Sequence, residues 1–73
     1  MAKVLVNNIR VLRFNHHEMT QQALAQAVSV SRQTIVAIEK GKYSPSLEVA
    51  FKIADVFNVP IESVFGYQEE ADE

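Results

Sequence analysis

Two short apolar stripes stand only about three residues apart: Ala23, Leu24, Ala27 and Val28 lie before the break Ser29-Val30-Ser31, and Ile35 and Ile38 lie after it. Each stripe has helical spacing, and neither is long enough to hold a helix in water unaided. The two helices must therefore bury against each other, and so short a break makes them cross steeply. Thr20 is placed as N-cap of the first and Ser31 as N-cap of the second, which Gly41 stops. Around this pair, Val4-Leu5-Val6 is a β-prone run, and Asn7 or Asn8 opens a first helix that runs to about His16. After the loop Lys42-Tyr43-Ser44-Pro45, Ser46 caps a fourth helix from Leu47 to Phe57, with Glu48 near its N-terminal dipole. Pro60 falls in the first turn of a short fifth helix to about Val64, and Gly66 releases the chain into Tyr67 and an acidic tail. The expected fold is mainly α, with five helices in one domain over residues 1–68. A short antiparallel terminal ribbon pairs Lys3 to Val6 with Phe65 to Gln68, lying on the helices through Leu5 and Phe65 or their neighbours. Residues 69–73 are read as the tail.

A chain of 73 residues encloses one core, and without cysteine neither a disulfide nor a thiolate zinc site can staple it. Helix packing or a partner subunit has to supply the stability. The net charge of −2 hides an asymmetry: four of the nine acids lie at positions 69, 70, 72 and 73, leaving seven bases against five acids before them. A nucleic-acid partner needs only a local basic face, which this distribution allows. No apolar run approaches the ~18 residues of a membrane span, and the opening stretch is too short for a secretory signal, so a soluble cytoplasmic protein is expected. His16 and His17 beside Glu18 point in different directions on a helix and lack a third ligand at a ligand-like spacing, so no metal is expected. Asp55 and Glu62 have neither a nucleophile nor a glycine-rich phosphate loop beside them, so no enzyme, cofactor or small-molecule ligand is expected. Phe51, Phe57 and Phe65 recur on apolar segments and suit a core or an interface better than base stacking.

The steep pair leaves Arg32, Gln33, Val36 and Ala37 without obvious core roles on the first turns of its second helix. Two helices so joined, the second rich in outward polar side chains, form the helix-turn-helix arrangement that lays a helix in the major groove. The stretch from Met19 to Glu48 resembles the Cro/CI-type helix-turn-helix of phage repressors, and Leu47 to Phe65 resembles the last two helices of short regulators of the xenobiotic-response-element group. The likeness rests on the combined spacing of Thr20 and Gln21, Leu24 and Ala25, Ser31 to Ile35, Ile38 and Glu39, Gly41 and Pro45. It implies a lambda-repressor-like fold, with the helix-turn-helix at about residues 20–40, and a DNA-binding transcriptional regulator, often a repressor. In two places the chain departs from the family. Ser29 stands where glycine is usual, which costs roughly 1 kcal/mol if that residue is left-handed, and the link Asn15 to Met19 is one residue longer than the commonest connection.

Arg32 and Gln33 suit bidentate contacts to guanine and adenine, and the resemblance places base readers there; the alternative is a solvated, capped helix start. Val36 and Ala37 can touch a thymine methyl or serve as minor packing residues. Gln21 and Thr34 are assigned to phosphate oxygens, against local capping, and Lys40, Lys42 and Tyr43 likewise, against a solvated loop. The resemblance further implies that one of Arg10 and Arg13, Arg13 in preference, pairs with Glu39 across the core.

The fourth helix carries apolar residues on two faces, one formed by Leu47, Ala50, Phe51, Ala54 and Phe57 and the other by Val49, Ile53 and Val56. A chain this small is not expected to bury both. A homodimer through Val56, Val59, Ile61, Val64 and Tyr67 is expected to cover the remainder, setting two recognition helices about 34 Å apart over a near-palindromic operator. An alternative is an antitoxin-like protein-interaction module with secondary DNA binding; the six residues after Tyr67 offer little partner-binding extension and favour the regulator.

Overall fold

The computed structural model describes residues 2–70. In chain order its elements are β1 (Lys3–Asn7), α1 (Ile9–Asn15), α2 (Gln21–Val28), α3 (Arg32–Glu39), α4 (Leu47–Phe57), α5 (Ile61–Val64) and β2 (Phe65–Glu69). Three helices start on the serine or threonine expected of them. Thr20 Oγ1 accepts from the Ala23 amide, Ser31 Oγ from Thr34 and Ser46 Oγ from Val49, each removing an orphan donor of a first turn. At α1 the work is divided: Asn8 holds the cap position but its side-chain amide donates to the Ser63 carbonyl rather than capping, while Asn7 Oδ1 accepts from the Ile9 amide at 3.1 Å.

Three helices also end alike. Ser29, Gly41 and Asn58 all have left-handed backbones. The residue after each returns its amide to a carbonyl five residues back: Val30 to Ala25, Lys42 to Ala37 and Val59 to Ala54. This closure satisfies the last carbonyls and is usually accompanied by an apolar contact from its final residue. Val30 and Val59 make that contact against the core. At the end of α3 the position is held instead by the exposed Lys42. The longer link after α1 is accommodated by two consecutive left-handed residues, His17 and Glu18, before the Met19 amide returns to the Arg13 carbonyl at 2.9 Å.

The core is one cluster in which Ile9, Leu24, Ala25, Val28, Ile35, Ile38, Ile53, Ala54, Phe57 and Val64 are buried. Helix α4 contributes Ala50, Ile53, Ala54 and Phe57, a single stripe at the spacings three and four that a buried helix face requires. That stripe mixes the two faces expected from sequence. Val49 and Val56 pack half-buried against the core, whereas Leu47 is 72% exposed and Phe51 55%.

The expected dimer surface therefore needs correcting. Val64 is fully buried in the core and cannot face a partner, and Val56 and Val59 are half-buried against the same core. Helix α5 is a single turn packed against α4 and β2, and Val64 is its one buried side chain. Ile61 lies at the edge of an apolar recess of about 200 Å³, together with Leu5, Pro45, Leu47, Ala50 and Phe65. Tyr67 is 68% exposed.

Strands β1 and β2 form the antiparallel ribbon, with Lys3 opposite Glu69, Leu5 opposite Tyr67 and Asn7 opposite Phe65. The Glu70 amide extends the pairing to the Ala2 carbonyl at 3.0 Å. Glu69, the first residue assigned to the tail, is the last of β2, and residues 71–73 lie outside the described residues. The ribbon is anchored where it meets the helices, since Asn7 Nδ2 donates to the Ile38 carbonyl and the Asn8 amide to that of Val64. Among the described residues, no helix is long and apolar enough to cross a membrane.

Candidate nucleic-acid interface

Helix α3 buries Ile35 and Ile38 and turns its other side outward. Arg32 and Gln33 are exposed, immediately after the Ser31 cap, and Val36 and Ala37 are half-buried one turn later. Residues four apart share a helix face, so Arg32, Val36 and Lys40 make one outward row and Gln33 and Ala37 a second. A recess flanks each row. The one beside Val36 encloses about 280 Å³ between Arg10, Arg13, Gln21, Glu39 and Lys40. The one beside Ala37 encloses about 480 Å³ and is bounded by Ser31, Gln33, Thr34, Lys42 and Tyr43. Every residue assigned from sequence to base reading or phosphate binding, except Arg32, borders one of these two recesses.

The floor of the first recess is an ion-pair network. Arg13 Nε donates to Glu39 Oε2 at 2.6 Å and Nη2 to Oε1 at 3.1 Å, a bidentate pair with little solvent access. The Arg13 Nη1 bond to the Met19 carbonyl, 2.8 Å, ties in the start of the helix-turn-helix. Gln21 Nε2 donates to Glu39 Oε1 at 3.2 Å. That uses one of the two amide hydrogens of Gln21 and leaves the other available. In the second recess the Thr34 hydroxyl sits 2.9 Å from Ser31 Oγ, so its hydroxyl already has a local partner.

The ion pairs among the described residues are Arg13–Glu39 and Lys52–Glu48, so Arg10, Arg32, Lys40 and Lys42 carry unneutralised charge around α3. Arg13 is the arginine that the family resemblance points to as the partner of Glu39, and Arg10 is left exposed beside it. Three residues apart on one helix, the two arginines differ only by a rotation that the sequence does not display. His16 stacks edge-on against Phe57 with ring centroids 5.6 Å apart, which gives that histidine a packing partner.

Known proteins share this fold. The sequence model of the helix-turn-helix family matches residues 12–64. An uncharacterized HTH-type transcriptional regulator of Methanocaldococcus jannaschii is 59% identical over 54 residues, covering 74% of this chain and 82% of that one. The cryptic phage CTXphi transcriptional repressor of Vibrio cholerae is 38% identical over 55 residues, covering 75% of this chain and 49% of its own length. Among solved structures, a Bacteroides fragilis protein provisionally described as DNA-binding superposes with a TM-score of 0.74 at 27% identity, over 86% of this chain and 100% of that one. The transcriptional regulator VanUg has the same fold, with a TM-score of 0.74 at 21% identity over 96% of this chain and 92% of its own.

Proposed function

Because the chain belongs to the Cro/CI-type helix-turn-helix family of transcriptional regulators, we propose that it binds operator DNA sequence-specifically as a homodimer and acts as a repressor in the cytoplasm. The observation that carries this reading is the exposed pair Arg32 and Gln33 on the capped first turn of α3, with cation-bearing recesses on both sides. A major groove about 12 Å wide admits α3. Arg32 then offers two donors to guanine O6 and N7, Gln33 a donor and an acceptor to adenine, and Val36 and Ala37 their methyl groups to thymine. Gln21, through its remaining amide hydrogen, and Thr34, Lys40, Lys42 and Tyr43 hold phosphate oxygens and set the register.

The described residues extend 36 × 22 × 21 Å and present one recognition helix. Successive major grooves on one face of a duplex are about 34 Å apart, so contacting two half-sites takes a second copy. The surface for that copy is the apolar recess between Leu5, Leu47 and Ile61, extended by the exposed Phe51 one turn along α4 from Leu47 and by Tyr67 opposite Leu5, which a twofold axis would bring against itself. Repression follows from occupancy, since a bound dimer excludes other proteins from the operator; the likeness to the phage repressor supports that sign of regulation. Selection of bound duplexes from a random pool tests the reading. Enrichment of a near-palindromic site is expected, and a pool that stays unenriched would overturn it.

A further inference from the structure

We infer that Arg10, with Lys40, holds a backbone phosphate of the bound duplex in the recess between α1, α2 and α3. The inference rests on the proposed DNA binding and adds a site on α1, outside the helix-turn-helix itself. Among the described residues Glu39 is the only acid lining that recess, and its charge is already spent: Oε2 accepts from Arg13, and Oε1 from Arg13 and Gln21. Arg10 and Lys40 border the same space without a carboxylate partner among the described residues. One acid against three bases leaves the recess an excess of two positive charges. Two like charges facing one cavity repel, and an anion between them turns that repulsion into attraction.

The position of the recess selects the anion. It opens on the Val36 side of α3, and the recess bounded by Lys42 and Tyr43 opens on the Ala37 side. A helix in a major groove has a sugar-phosphate strand along each wall, so each recess meets one strand. Lys42 and Tyr43 then hold one wall of the groove, and Arg10 and Lys40 hold the other. Glu39 acts through Arg13: by engaging the inner arginine it leaves the outer one free for phosphate.

The salt dependence of binding tests this. For the full chain, Arg10→Gln is expected to weaken a selected duplex and an unrelated duplex by the same factor, roughly threefold to tenfold near 0.1 M salt. The slope of log K against log salt should fall by about 0.9 per subunit, one phosphate each and so about 1.8 for the proposed dimer, and Arg10→Lys should restore most of it. An Arg10→Gln chain with the affinity and slope of the unmodified chain would overturn the site while leaving DNA binding intact. Absence of binding to any duplex by the unmodified chain would remove both. Inorganic phosphate titrated without DNA, saturating below millimolar in an Arg10-dependent manner, would overturn the backbone assignment in favour of a free anion.

Discussion

Arg13 Nε lies 2.6 Å from Glu39 Oε2, so a residue of α1 grips the last turn of α3, and the same guanidinium holds the Met19 carbonyl ahead of α2. Both side chains are largely withdrawn from water, at 15% and 9% exposure. Removing one partner of such a pair strands the other. Arg13→Met should cost about 3 kcal/mol, and Arg13→Met with Glu39→Leu should recover most of that because no buried charge remains. Urea unfolding of both variants checks it; a double variant as unstable as the single would show that the charges are not the cause.

Ser29 ends α2 with φ of 63° and ψ of 42°, a conformation in which a β-carbon is strained. Glycine relieves that strain but adds freedom to the unfolded chain, so Ser29→Gly should stabilise by about 0.5 kcal/mol. Ser29→Val, β-branched at the same angle, should destabilise. Thermal unfolding of the two variants reads the opposite signs.

Leu47 and Val64 separate surface from core. Leu47→Glu places a charge at the apolar recess and should shift sedimentation equilibrium from dimer to monomer without altering the helical circular dichroism. Val64→Ala removes packed methyl groups from a fully buried position and should cost about 2 kcal/mol while leaving association unchanged. A Leu47→Glu chain that still sediments as a dimer would exclude this recess as the interface.

Much of this fold was legible because its signals are local. Thr20, Ser31 and Ser46 announce helix starts through their own hydroxyls, and the terminal ribbon follows from two short β-prone runs at the chain ends. What escaped depends on rotation about a helix axis. Periodicity placed Leu47 and Phe51 on a stripe with Ala50, Ala54 and Phe57, yet Leu47 and Phe51 are exposed while the other three turn inward beside Ile53 of the second expected face. The buried Val64 escaped for a similar reason: a one-turn helix has no period to reveal its inner side. Periodicity alone does not separate Arg10 from Arg13; the family resemblance points to Arg13 as the partner of Glu39, and that is the pair formed.

Base reading by Arg32 is tested most directly by affinities for a selected duplex and its single-mismatch variants, measured with Arg32→Ala and Lys42→Ala side by side. Arg32→Ala should lose about 1–3 kcal/mol on the selected duplex and discrimination at one base pair per half-site, whereas Lys42→Ala should weaken every duplex alike. An Arg32→Ala chain that keeps full discrimination at every position would contradict base reading by α3.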